Sequence, residues 1–127
     1  MLLIKTSIKP SRIKQAGLGL FTDEPIKKGQ TISVFVSGLD IVVSDAALAM
    51  LPEVAQTLLK HYGCKQGAFF YLDSDNLRYS NHSFSPNIGD GVNGDVLALE
   101  DIPAGTELFC DYSKIDDRWP KYGHKFV

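Results

Sequence analysis

Cysteine is scarce in this sequence. Two thiols, Cys64 and Cys110, among 127 residues are too few for a disulfide framework, and they share no ligand spacing with His61, His82 or His124 that would make a zinc site. The scarcity points to a reducing, cytoplasmic setting. Long apolar runs are also missing. The opening Met1-Leu2-Leu3-Ile4-Lys5 is too short for a signal peptide and no stretch approaches membrane-spanning length, so no membrane partner is expected. Neither sign of charge dominates: 13 Lys and Arg against 15 Asp and Glu leave a net charge of -2. A nucleic-acid binder would carry a basic face, whereas a slightly acidic chain is compatible with a basic protein partner such as a lysine-rich tail. Without repeats, linkers or low-complexity segments, residues 1–127 read as one domain with a core of its own.

Strand signals dominate what is present. Leu2 to Ile8 alternates and ends at Pro10, Thr31 to Gly38 is rich in β-branched and aromatic residues, and Ile41 to Val43 reads as its continuation. Gly67 to Leu72, Asp95 to Leu99 and Thr106 to Tyr112 are further strand candidates, separated by turns at Asp73 to Asn76 and Asp101 to Gly105. A helical insert over about 44–63 interrupts them. Ser44 is its N-cap, Pro52 is the natural first residue of a second helix reaching His61, and Gly63 is the stop. Val54, Leu58, Leu59 and Tyr62 share one side of that second helix, its expected buried face. Many short strands joined by Gly and Pro turns predict a mostly β domain.

Three stretches stand out chemically. Gly17-Leu18-Gly19 suits either a tight hairpin or the close approach of backbone to a ligand. Arg78-Tyr79-Ser80-Asn81-His82-Ser83-Phe84-Ser85-Pro86-Asn87 runs from apolar residues into turn chemistry whose polar groups need partners. Glu107-Leu108-Phe109-Cys110-Asp111-Tyr112 closes the strand pattern before a charged and aromatic tail over about 113–127 that carries Trp119, Tyr122 and Phe126.

Together and in this order, with Pro25-Ile26-Lys27-Lys28-Gly29 after the glycines, these motifs resemble the SET domain, a family of S-adenosylmethionine-dependent protein-lysine methyltransferases. The resemblance covers roughly residues 4 to 119. It implies a β-clip fold of short strands in small sheets, with a short helical insert and a knot-like threading of the tail beside the 81–87 loop. It also implies roles. Tyr112 matches the catalytic tyrosine. Gly17, Leu18, Gly19, Asn81 and His82 match cofactor-binding positions, Trp119 a tail aromatic covering the adenine, and Tyr71 and Cys110 the substrate channel. The implied partner is a lysine-containing protein, a basic or histone-like tail among the candidates, and a homodimer is plausible for so small a domain. No metal is implied, because Phe84 stands where many members have a zinc-binding cysteine.

The chemistry constrains the channel. A lysine ammonium has no lone pair to attack with, and removing its proton at neutral pH costs roughly 4 to 5 kcal/mol from a reference pKa near 10.4. Desolvation lowers that pKa, so the channel is expected to be narrow, aromatic and free of carboxylates. Two positions depart from the family. Val36, within Phe35-Val36-Ser37-Gly38, replaces a frequent channel tyrosine, and Cys110 is small where Phe or Tyr is common, leaving room for higher methylation states. Both departures keep a second expectation alive, a non-catalytic module that retains the fold and binds protein or peptide.

Overall fold

The computed structural model describes residues 1–119; Tyr122, His124 and Phe126 lie outside the described residues. Among the described residues the elements in chain order are β1 (Thr6–Pro10), β2 (Leu18–Thr22), β3 (Thr31–Ser33), β4 (Ile41–Ser44), α1 (Asp45–Ala49), α2 (Glu53–Tyr62), β5 (Cys64–Gln66), β6 (Phe69–Leu72), β7 (Asn81–His82), β8 (Ile88–Asp90), β9 (Val96–Ala98), β10 (Phe109–Cys110) and α3 (Tyr112–Ile115). The strands form small sheets, β1-β2, β7-β10, β3-β9-β8 and β4-β6-β5. The domain is mostly β, as expected. Pairing is antiparallel except between β7 and β10, which run parallel with Asn81 opposite Phe109 and His82 opposite Cys110. That pairing lays the C-terminal segment beside the 81–87 loop.

Two apolar clusters hold these layers. The larger joins Leu20, Ile26, Ile32, Ile88, Ala98 and Leu108 beneath the hairpin and the three-stranded sheet. The smaller joins Leu48 and Leu59 of the helices to Phe70 and Leu72 of β6. Pro10 fits in β1 because that strand bonds only to β2, so its missing N–H falls on an open edge.

Several expectations change. The stretch Thr31 to Gly38 is a strand only to Ser33, because the buried carboxylate of Asp40 accepts the N–H groups of Val36 and Ser74 (2.9 and 3.1 Å) and draws 34–40 into a loop closed by Gly38 at φ +90. Ile41 therefore opens a different sheet, pairing with Leu72. The first strand starts at Thr6, and Leu2 makes only an isolated bridge to Ser33. Thr106 to Tyr112 is not one strand: Asn87 inserts its side-chain amide, accepting from Phe109 N–H (2.8 Å) and donating to Glu107 O (2.9 Å), in place of a strand partner.

Asp111 then caps α3 by accepting Ser113 N–H at 3.0 Å, so Tyr112 begins a helix rather than ending a strand. The strands β5 and β8, three residues each, are too short to show a period.

The insert is where local chemistry reads true. Ser44 Oγ accepts Ala47 N–H at 3.1 Å and caps α1. Pro52 sits one place earlier than expected, as the cap of α2, and Gly63 ends that helix in extended rather than left-handed conformation. The predicted buried face fails, however. Leu59 is buried, but Val54 is 83% exposed and Leu58 42%, because α2 rests on a sheet only three short strands wide.

For Leu20→Ala, in the larger core and fully buried, urea unfolding is expected to show a loss of about 2–5 kcal/mol. Val54→Ala should stay within about 0.5 kcal/mol; equal losses would contradict this placement.

Candidate active site

The site is built around a buried carboxylate. Glu107 is 1% exposed, and its Oε1 accepts from Ser11 Oγ (2.7 Å) and Asn81 Nδ2 (3.3 Å) while Oε2 accepts from Arg12 N–H (2.8 Å). A charge removed from water needs such donors. They come from the β1-β2 turn and from β7, so one side chain ties three distant segments together.

The two glycines of the turn serve different ends. Gly17 is left-handed at φ +77 with open space where a Cβ would stand. It closes the turn through its carbonyl, which accepts Ser11 N–H at 2.8 Å. At Gly19 a Cβ would overlap Glu107 Oε1. The close approach that glycine permits there is therefore to this carboxylate.

Asn81 is locked on both amide hydrogens. Its Nδ2 donates to Leu18 O (2.9 Å) as well as to Glu107, which leaves Oδ1 as an acceptor with no hydrogen bond among the described residues. His82 beside it is 1% exposed. Its Nδ1 accepts the backbone N–H of Tyr112 at 3.0 Å, which fixes the tautomer with the proton on Nε2. That nitrogen is buried and without a partner among the described residues. Burial pulls the imidazole below its ordinary value, against the Asp111 carboxylate 3.8 Å away, which acts the other way. His82 is neutral at pH 7. Tyr112 is held twice more directly, with its hydroxyl donating to Ser80 O at 2.7 Å.

Two cavities share a wall made by His61, Tyr62, Arg78 and Tyr112. The smaller, about 180 Å³, is also lined by Gly17, Leu18, Tyr79 and Asn81. It has no carboxylate in its wall. The larger, about 850 Å³, takes in Tyr71, Cys110 and Tyr112, with Phe35, Val42 and Leu99 adding apolar surface. The larger cavity is neither narrow nor free of carboxylates, contrary to expectation: Asp73, Asp90, Asp111 and Asp116 reach it. Asp73 follows β6, Asp90 ends β8, and Asp111 and Asp116 flank α3. Burial, then the neighbouring Asp40, pushes Asp73 up to about 6. Burial also pushes the Cys110 thiol to about 12, so it is a neutral thiol and not a nucleophile.

A SET domain family model matches residues 17–113. The chain belongs to the SET domain family. Solved structures agree in fold. One is a Chaetomium thermophilum Polycomb repressive complex 2 in an autoinhibited conformation bound to S-adenosylmethionine; the match is 20% identical, covers 90% of this chain and 16% of that chain, and has a TM-score of 0.68. A crystal structure of the complex from the same organism matches at 21% identity over 94% of this chain and 16% of that one, with a TM-score of 0.69. An active Polycomb repressive complex 2 in the basal state matches at 23% identity over 86% of this chain and 15% of that one, with a TM-score of 0.65. This SET domain thus spans about 16% of the length of the chains it resembles.

Of the residues singled out by sequence, Gly17, Leu18, Asn81 and Tyr112 converge on one cavity and Tyr71, Cys110 and Tyr112 on the other. Gly19, His82 and Trp119 line neither. His82 and Trp119 instead lie ring to ring, with centroids 4.5 Å apart and planes 38° apart, and Phe84 lies edge-on to both. Val36 does not line the larger cavity; its neighbour Phe35 does. Sequence reasoning assigned no role to Glu107, Arg78, Tyr62 or Tyr79. A carboxylate opening the apolar run Leu108-Phe109-Cys110 was the available signal for Glu107, since such a residue is rarely buried unless paired. The helical period marked Tyr62 only as part of the expected buried face of α2. Among the described residues no cluster of three potential ligands could hold a metal ion.

The depressed imidazole of His82 links stability to pH. Its contribution is complete above the ordinary value of 6.5 and is lost as pH falls below it, where the unfolded chain takes up a proton that the folded one resists. Unfolding free energies compared between pH 7 and pH 5 should drop more in the parent than in His82→Asn, whose amide oxygen can still accept from Tyr112 N–H; identical pH slopes would contradict the burial effect. Gly19→Ala is expected to destabilise by displacing Glu107, by more than the ~1–2 kcal/mol left-handed penalty of Gly17→Ala, as read from denaturation midpoints.

Proposed function

We propose that this SET domain is a protein-lysine N-methyltransferase that uses S-adenosylmethionine. The observation that carries the reading is that a small cavity without carboxylates and a larger, partly apolar one share a wall that includes the phenol of Tyr112. A methyl transfer in line between two reactants needs each reactant on its own side of a shared opening, and most of its catalysis is positioning.

The residues present suit the cofactor. Gly17 leaves open space at the wall of the smaller cavity, Asn81 Oδ1 stands ready to accept from an ammonium, and no carboxylate is there to neutralise a sulfonium. Gly17, Leu18 and Asn81 would hold it, and when bound it supplies an electrophilic methyl group. On the other side, the apolar surfaces of Phe35, Val42 and Tyr71 desolvate a lysine side chain, which favours its neutral amine. The aspartates of the larger cavity attract a basic protein segment, and the tyrosines near Tyr112 offer faces and hydroxyls to the amine. The Tyr112 hydroxyl donates its hydrogen bond to Ser80 O, so its oxygen acts as an acceptor that aligns an amine N–H. The alternative of a binding module without turnover rests on Val36 and Cys110. Calorimetry with S-adenosylmethionine, run beside labelled-methyl incorporation into a lysine-rich protein, separates the two, since binding without transfer would favour the module.

For Tyr112→Phe the expected outcome is a loss of about 10²-fold or more in methyl transfer with cofactor affinity nearly unchanged; transfer at the parent rate would remove Tyr112 from its role. Asn81→Ala should weaken cofactor binding measured by calorimetry, by roughly tenfold for one charged hydrogen bond, and unchanged affinity would count against the assignment.

A further inference from the structure

Residues 1–22 hold Lys5, Lys9, Arg12 and Lys14 but no acid; the first is Asp23, so all 15 Asp and Glu lie in the rest of the chain. The small net charge therefore conceals a basic end, and folding keeps it together. All four cations are exposed, at β1 and in the turn that leads to β2. Asp23 and Glu24 offset Lys5: Asp23 N–H bonds Lys5 O, and Glu24 accepts Lys5 N–H at 3.1 Å. The other three have no such company. Among the described residues Lys9, Arg12 and Lys14 form no ion pair. The carboxylate inside this turn, Glu107, is buried and taken by Ser11 Oγ, Asn81 Nδ2 and the backbone N–H of Arg12, not by their side chains.

One buried ring gathers two of these charges. Lys9 Nζ lies 5.4 Å and Arg12 Cζ 6.0 Å from the centroid of Phe21, which is itself 4% exposed. The ring face attracts both cations, although like charges brought to one spot repel until an anion joins them. A single small anion at so exposed a place is screened by salt, whereas a chain of phosphates engages all three cations and releases its own counterions. The ring's neighbours on the same side of the hairpin are Ser7, Lys9 and Gly19, which give a protein partner no apolar surface to bury. The hairpin has no aromatic besides the covered Phe21, so unpaired bases have nothing to stack on. Charge alone is offered, and charge alone reads a duplex by its backbone. We propose that the β1-β2 hairpin docks the phosphate backbone of a nucleic-acid duplex through Lys9, Arg12 and Lys14, without regard to sequence. Ala16, Gly17 and Leu18 of the same hairpin line the smaller cavity, so on the methyltransferase reading a basic protein bound to that duplex is held beside the site. The docking itself stands without that reading.

Fluorescence anisotropy of a labelled, mixed-sequence DNA duplex, titrated with the whole chain over a series of salt concentrations, is the test. For the parent, log K should fall against log salt with a slope of about −3, the value for three phosphates. Lys9→Ala, Arg12→Ala and Lys14→Ala should each flatten that slope by about one and weaken different sequences alike. Lys27→Ala and Lys28→Ala, in the turn after β2, should leave slope and affinity as in the parent. Arg12→Ala keeps the backbone N–H that Glu107 accepts, and if it does not fold the Lys9 and Lys14 variants decide. No binding at low salt overturns the proposal. So does a slope that the three variants leave unchanged, or an equal loss from the Lys27 and Lys28 variants. Displacement of the labelled duplex by an acidic peptide or by anionic vesicles, as effective per charge as by unlabelled duplex, overturns nucleic acid as the partner.

Discussion

The carboxylate of Glu107 is the interaction on which the rest of this SET domain depends. It accepts a hydroxyl and a backbone N–H from the turn after β1 and an amide hydrogen from β7. The partners stand 96, 95 and 26 residues away along the chain. Taking the carboxylate from water costs several kcal/mol, and only the full set of donors offsets that cost. The site is therefore specified by a condition that one missing partner breaks: no Cβ at position 19, a turn that aims Ser11 and Arg12 inward, and an asparagine at 81. The same bond has a chemical consequence. Because Glu107 and Leu18 O take both amide hydrogens, Asn81 turns an acceptor and not a donor toward the cavity.

A second link runs from that loop to Tyr112. His82 follows Asn81 in β7 and accepts the backbone N–H of Tyr112, while Ser80 before it accepts the Tyr112 hydroxyl. Three consecutive residues thus hold the carboxylate-locked wall of the smaller cavity and both polar ends of a tyrosine that lines both cavities. The parallel pairing of β7 with β10 is what brings these partners into range. Trp119 packs on His82 and lengthens the same group of rings towards the tail. Arg118 fastens that tail elsewhere, bonding Asp116 and the carbonyls of Lys60 and Gly63 at the end of α2.

Much of this was legible beforehand, and the gaps have physical causes. Ser44, Pro52 and Gly63 were readable because caps act within one turn of chain, and the stops they mark are nearly where expected. The exposed side of α2 was not, since a 3.6-residue period shows that Val54 and Leu58 share a face but not whether a sheet is wide enough to cover it. Thr31 to Gly38 looked like one strand because its residues suit a pleat. Asp40 overrides that preference from outside the stretch by binding the N–H of Val36. The departure at Val36 suggested a missing channel hydroxyl, yet Tyr62 brings a phenol to the larger cavity from α2.

From the residues alone came the family, the mostly β character, the helical insert and the short motifs, because motif chemistry, caps and turn preferences act over a few neighbouring positions. Tertiary structure alone decided which of those motifs share a wall, that Gly19 makes room for Glu107, and that His82 accepts the backbone N–H of Tyr112. Those facts are distances between groups far apart in the chain, and they exist only once the strands have paired and the cores have closed.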